Sequence, residues 1–201
     1  GTTLGADNGI ALAMGLALLD TDAPHGPLEL LFTTDEESGL TGALNIDPSL
    51  IKGRVLLNLD SEEEGVFYIG CAGGVTTVGD IPAERGVPAG GSTAFSLSIT
   101  GLRGGHSGAE IHEGRANAVK LGARLLWEIH EHYPIRVARI EGGGKHNAIP
   151  REFFATFTAQ ENQADAVREA AAALSSAFHG ELDDIDPNLE VELREEREVP
   201  E

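Results

Sequence analysis

Residues Ile10 to Leu19 contain no polar side chain, and Asp7-Asn8-Gly9 stands in front of them. An Asp or Asn before an Ala/Leu run starts a helix. A helix that is apolar on every side is expected to be buried. His25-Gly26-Pro27 interrupts the chain, and Leu28 to Thr34 then reads as a strand. Gly39 to Ile46 is a short helix candidate, and Val55 to Leu59 is a second short apolar strand. Helix, strand, helix and strand in succession predict a mostly parallel α/β sheet. Such sheets place their ligands beyond the carboxyl ends of the strands.

The pattern changes after Cys71-Ala72-Gly73-Gly74. From there to Ser92 the chain is rich in Gly and Pro and has no period, which marks a domain boundary. A regular series follows. Thr93 to Thr100 alternates as a strand. Gly114 to His132 is helical, with Ala116, Val119, Leu121, Ala123, Leu125, Leu126 and Ile129 as core candidates. Ile135 to Glu141 is a strand. Glu152 to Ala159 is another, with Phe153, Ala155 and Phe157 on one side. Asn162 to Phe178 is an alanine-rich helix, and Asn188 to Leu193 is the last strand. The order β-α-β-β-α-β is the ferredoxin-like split βαβ pattern, an antiparallel sheet with two helices on one face. The expected fold class is therefore α/β over residues 1–74 plus α+β, ferredoxin-like, over residues 75–201.

Composition narrows the function. The chain holds 33 Asp+Glu against 14 Lys+Arg, a formal net charge of −19. Nucleic-acid binding relies on cations that neutralise phosphates, so a nucleic-acid partner is not expected. Hydrophobic residues make up 41% of the chain, enough for a packed core. The apolar run Ile10–Leu19 is too short to span a bilayer and has no signal-peptide flank, so no membrane partner is expected. Cys71 is the single cysteine, which excludes a disulfide framework and fits a cytoplasmic setting. Its glycine neighbours suit a small buried residue. Lysine occurs three times, at Lys52, Lys120 and Lys145, a bias consistent with either salt adaptation or a GC-rich genome. The acidic stretch from Glu181 onward reads as a solvated strand and tail.

Three acidic elements sit where an α/β sheet presents its ligands. Asp7 precedes the first helix. Asp35-Glu36-Glu37 follows the strand Leu28–Thr34, and Asp60 follows Val55–Leu59. Carboxylates that converge repel one another unless a cation neutralises them, and hard oxygen donors suit divalent metals such as zinc or manganese. The adjacent pair Glu36-Glu37 permits one carboxylate to bind metal while the other takes a proton from water. The same residues also fit an acidic loop surface. Gly104-Gly105-His106-Ser107-Gly108 is a glycine loop whose His106 can donate to a developing oxyanion, or is an exposed turn. Gly142-Gly143-Gly144 to Asn147-Ala148-Ile149-Pro150 is a similar loop carrying His146 and Asn147. His112, His130, His132 and His179 read as surface or packing residues, and His25 as a turn.

Gly5-Ala6-Asp7-Asn8-Gly9, Asp35-Glu36-Glu37-Ser38-Gly39 and Leu59-Asp60-Ser61-Glu62-Glu63-Glu64-Gly65 together resemble the co-catalytic zinc peptidases of the M20 class. Gly70-Cys71-Ala72-Gly73-Gly74, Gly104–Gly108 and Asn147–Glu152 are similar to its aminoacyl-histidine (Xaa-His, cytosolic non-specific) dipeptidases. The resemblance covers nearly the whole chain. It implies hydrolysis of dipeptides by water activated at two Zn²⁺ ions, with Mn²⁺ or Co²⁺ as alternatives. Asp7 would bridge the metals, Glu37 and Asp60 would each ligate one, and Glu36 would be the general base. His106 would reach the substrate carbonyl and Asn147 would hold the substrate. Residues 1–74 would be part of the catalytic domain, and residues 75–201 the lid through which a homodimer forms. The family's metal histidines would lie outside residues 1–201, so the chain alone is expected not to turn over dipeptides. Two other readings are a non-catalytic dimerisation module and another M20-type amidohydrolase, an aminoacylase or deacylase.

Overall fold

The structure is a computed structural model that describes residues 8–61, 63–71 and 73–196. The chain divides into two units between Gly74 and Val75. In the first, helix α1 (Gly9–Leu19) starts where the sequence places it. The side-chain oxygen of Asn8 accepts the N–H of Ala11 at 3.0 Å, which satisfies one of the free donors of the first turn. Helices α2 (Glu36–Gly39) and α3 (Thr41–Leu44) are single turns. They are separated by Leu40, whose φ of 59° lies in the left-handed region. The helix expected over Gly39–Ile46 is thus shorter and broken.

The parallel sheet expected in this unit is not formed among the described residues. Leu28–Thr34 and Val55–Leu59 pair with no strand. Helix α1 is not buried either. Ile10, Leu12, Met14, Leu16 and Leu19 are exposed, and only Gly15 is covered, in a helix with Leu30 and Phe32 nearby. The reason is that neither property is local. A strand needs the N–H and C=O groups of a neighbour, and an apolar helix is buried only where a second layer packs on it.

The second unit carries the sheet. Its elements in order are β1 (Ser92–Thr100), β2 (Gly105–His106), α4 (Ala118–His132), β3 (Arg136–Gly142), β4 (Ala148–Ile149), β5 (Phe153–Gln160), α5 (Ala164–Leu182) and β6 (Glu190–Glu196). Strands β3-β5-β1-β6 form one antiparallel sheet in that spatial order, and β2 and β4 form a separate two-stranded ladder. Setting the small ladder aside, the order is the β-α-β-β-α-β pattern predicted from periodicity. Helix α4 begins at Ala118 rather than Gly114, because Asn117 caps it by accepting the N–H of Lys120 at 3.1 Å.

The core lies between this sheet and α4 and α5. Alternation along β5 buries Phe153, Ala155 and Phe157, and β1 contributes Phe95, Leu97 and Ile99. Phe95 and Phe157 stack with ring centroids 5.4 Å apart. Leu121, Leu125, Leu126 and Ile129 of α4 and Val167, Ala171 and Phe178 of α5 close the other side. Of the α4 candidates, Ala123 faces solvent. Its neighbour Gly122 is buried instead, because a Cβ there would enter the Phe153 ring.

Candidate functional site

The most completely built part of the site is the pair of glycine loops in the second unit. The β2–β4 ladder sets Gly105 opposite Ile149 and His106 opposite Ala148. The N–H of Ser107 donates to the carbonyl of Asn147 at 2.9 Å. His106 and Asn147, remote in sequence, are therefore neighbours, and both side chains are exposed. Gly104 has a φ of 64° and Gly105 of 141°, both positions that favour glycine. A Cβ on Gly105 would also collide with Arg115 and Glu110.

The histidine ring is oriented by its own loop. The backbone N–H groups of Gly108 and Ala109 both donate to His106 Nδ1, each at 3.1 Å. These two donors assign the lone pair to Nδ1 and the ring proton of the neutral imidazole to Nε2. Nε2–H is thus a hydrogen-bond donor held in a fixed direction, the property required of a group that stabilises developing negative charge on oxygen.

An ion cluster behind the ladder holds the loop in place. Glu110 accepts the backbone N–H of His106 at 2.7 Å with one oxygen and Arg115 at 2.5 Å with the other. Arg115 also donates to the carbonyl of Gly104 at 2.7 Å and to Glu113 at 2.9 Å. The bond from the His106 backbone, with Arg115 beside it, holds the Glu110 carboxyl below the usual carboxylate range. Glu113 and Glu110 raise the Arg115 guanidinium, whose side chain is only 11% exposed. A second anchor is Asp186, 1% exposed. Its two oxygens accept the N–H groups of Arg103 and Ala116, each at 2.8 Å. Asp186 thus ties the start of the histidine loop to the approach to α4.

In the first unit, Asn8 Nδ2 donates to the carbonyl of Leu59 and to Asp60 Oδ1, each at 2.9 Å. The residue after Asp7 and the carboxylate of Asp60 are thereby brought together across 52 positions. Asp7 itself lies outside the described residues. Asp35 has a φ of 62° and accepts the Thr41 hydroxyl at 2.5 Å, which turns the chain into Glu36 and Glu37. Both glutamates are exposed at the head of α2. Among the described residues, no three His, Cys, Asp or Glu side chains converge as a metal-binding group. The carboxylates have the chemistry of hard-cation ligands, but the described set is incomplete on its own.

Residues 97–185 match the peptidase dimerisation domain of the M20 class. The chain carries an M20 dimerisation domain. His106, Asn147, Glu110 and Arg115 all fall inside that match. The chain is also 44% identical over 191 residues to the cytosol non-specific dipeptidase of Escherichia coli, covering 94% of this chain and 39% of that protein. It resembles the crystal structure of aminoacylhistidine dipeptidase from Vibrio alginolyticus, with 37% identity and a TM-score of 0.75, over 100% of this chain and 41% of that one. An uncharacterised Bacillus subtilis protein, YqjE, is 27% identical over 96% of this chain and 49% of its own length. The chain thus spans about two fifths of the length of the two dipeptidase relatives.

Two readings, of the acidic stretch and of the cysteine, need correction. Asp186 is not part of a solvated tail, because it is itself buried and both its oxygens accept backbone N–H groups. Glu181 and Glu195, in the same acidic stretch, pair with Arg124 and Arg168. Cys71 is exposed rather than buried, in a segment without a packed layer. The cluster of Glu110 and Arg115 was not singled out from sequence. Its signal is weak: a glutamate four residues after His106 and an arginine nine after it.

Proposed function

We propose that this chain is the central part of an M20 dipeptidase that hydrolyses the peptide bond of short dipeptides, Xaa-His among them. The observation that carries the reading is the 44% identity to a dipeptidase along 94% of the chain, across both units. In this reading residues 1–74 belong to the catalytic domain and residues 75–201 to the lid. The exposed apolar side chains of α1, Val55, Leu56 and Leu57 are surface that the rest of that domain covers. The protein is a homodimer through the dimerisation domain. Its setting is cytoplasmic, as for the cytosol-named relative, and no helix among the described residues is long and apolar enough to cross a membrane.

Each side chain has one task. Asp7, Glu37 and Asp60 hold divalent metal, with zinc first and manganese or cobalt as alternatives. The metal, when bound, supplies Lewis acidity to the attacking water. The Asn8 bond to Asp60 fixes the direction of that carboxylate. Glu36 takes the proton from the water and returns it to the leaving amine. His106 donates through Nε2–H to the carbonyl oxygen as it gains charge, and Asn147 positions the substrate from the adjoining loop.

The test uses the parent protein and an Xaa-His dipeptide. Glu36→Gln removes the base. His106→Ala removes the oxyanion donor and is expected to lower kcat by about 10²–10³ with a smaller change in KM. Full activity in Glu36→Gln overturns the assignment. Residues 1–201 alone are expected to show no turnover.

A second reading is favoured by one observation. The β-α-β-β-α-β unit has a core of its own, built from β1, β5, α4 and α5. As an isolated chain, the molecule is then a dimerisation module.

A further inference from the structure

The histidine loop has little of its own to hold it. Gly104 and Gly105 both lie at positive φ, where glycine pays no steric cost and moves freely. The β2–β4 ladder that carries them is two residues long on each side. A donor that stabilises developing charge must nevertheless be held to within about 0.5 Å of its working position. The constraint has to come from outside the ladder.

Glu110 supplies it from both sides of one residue. Its N–H donates to the carbonyl of His106 at 3.0 Å. Its carboxylate accepts the N–H of His106 at 2.7 Å. Both backbone groups of His106 are therefore bonded to the same residue. The turn closed in this way contains Gly108 and Ala109, whose N–H groups hold His106 Nδ1. One turn thus grips the ring and the backbone of the histidine, and Glu110 is the residue that shuts it.

Arg115 fixes Glu110 in turn. Its guanidinium donates to Glu110, to Glu113 and to the carbonyl of Gly104. A Cβ on Gly105 would strike both Arg115 and Glu110, so the pair lies directly against the backbone that precedes His106. Ion pairs near a surface add little to stability, and drawing them partly out of water carries a desolvation cost. This pair matters more for geometry than for stability. Arg115 also neutralises a carboxylate that would otherwise oppose negative charge growing beside His106.

We propose that Glu110 is a positioning residue of the reaction, which acts through His106 and does not itself touch the substrate. This rests on the reading of His106 as the oxyanion donor and adds the group that aims it. Without the carboxylate, the His106 N–H loses its acceptor, the turn loosens and Nε2–H no longer keeps one direction. Substrate binding through other residues is left alone, so the loss falls on kcat rather than on KM.

The test is a double-variant cycle in the parent protein, with the dipeptide Gly-His as substrate. His106→Ala is expected to lower kcat by about 10²–10³. Glu110→Ala is expected to lower it by about 10–10², with KM within about twofold of wild type. In the His106→Ala background the same change is expected to have almost no effect, because the group it aims is gone. Glu110→Gln keeps an oxygen for the His106 N–H and is expected to stay within about fivefold of wild type. Arg115→Gln frees the carboxylate without removing it. It is expected to cost about 3–10-fold in kcat, again only where His106 is present. It carries the cycle by itself if thermal unfolding shows that Glu110→Ala does not fold. Unchanged kcat in His106→Ala overturns the reading of the histidine, and this inference with it. A loss in His106→Ala with none in Glu110→Ala overturns only the positioning role. Equal losses from Glu110→Ala in both backgrounds also overturn it, since they mark a residue that merely keeps the loop folded. So does Glu110→Gln as slow as Glu110→Ala.

Discussion

The two units are made of similarly apolar sequence and end in opposite physical states. Helix α1 and the segment Val55–Leu59 are more apolar than β1 or β5, and Leu28–Thr34 is more apolar than β1. Yet Leu57 is 80% exposed, while Phe95, Ile99 and Phe157 are fully buried. The difference lies in partners. Each strand of the second unit finds its antiparallel neighbour within the same 105 or so residues, and α4 and α5 roof the sheet. The apolar segments of the first unit meet no second layer among the described residues. Apolar sequence predicts what a segment will become once something packs against it; it does not supply the partner.

The comparison can be broken most severely at Phe157. Phe157→Ala opens a cavity under the stack with Phe95 and is expected to cost about 3–5 kcal/mol of unfolding free energy. Urea unfolding followed by Trp127, the single tryptophan, reads this directly. Leu57→Ala, in the first unit, removes an apolar side chain from the exposed set and is expected to change the same transition by less than about 0.5 kcal/mol. Equal effects at the two positions would contradict the contrast.

Asp186→Ala comes next. It leaves the N–H groups of Arg103 and Ala116 without acceptors, at about 1–3 kcal/mol for each one left buried and unpaired. Hydrogen exchange should quicken at both amides. Asp186→Asn keeps one acceptor oxygen and should cost less.

The smallest effect concerns pH. Glu110 is held below its ordinary value of 4.5 by the His106 backbone N–H and by Arg115. A carboxylate depressed on folding contributes stability above its unfolded value and loses it as pH falls through the folded one. The histidine loop should therefore hold its exchange protection down to about pH 4.5 and lose it below that. Glu110→Gln should flatten that dependence. Protection that instead rises on acidification would refute the clamp.

Much of the second unit was legible because its code is short-range. The alternation of Phe153, Ala155 and Phe157 and the period of Leu121, Leu125 and Ile129 each state a face without reference to anything distant. Caps moved the boundaries: Asn117 delayed α4, and Leu40 split a helix. What could not be read were contacts between remote residues. Asp186 sits among acids that do face water, and only the fold reveals that Arg103 and Ala116 close on it. The pairing of His106 with Asn147 likewise depends on the β2–β4 ladder, which is two residues long on each side and has no pattern of its own. In the first unit the strand pattern was present without the neighbours that turn pattern into sheet.

Native-state hydrogen exchange across the whole chain tests the central contrast most directly. Amides of β1, β5 and α4 should exchange only through global unfolding, at the slow limit of the molecule. Amides of 28–34 and 55–59 should exchange faster by several orders of magnitude, close to the rates of unstructured peptide. Protection in those two segments equal to that of β5 would mean that the first unit holds a sheet of its own, and the contrast between the two units would fall.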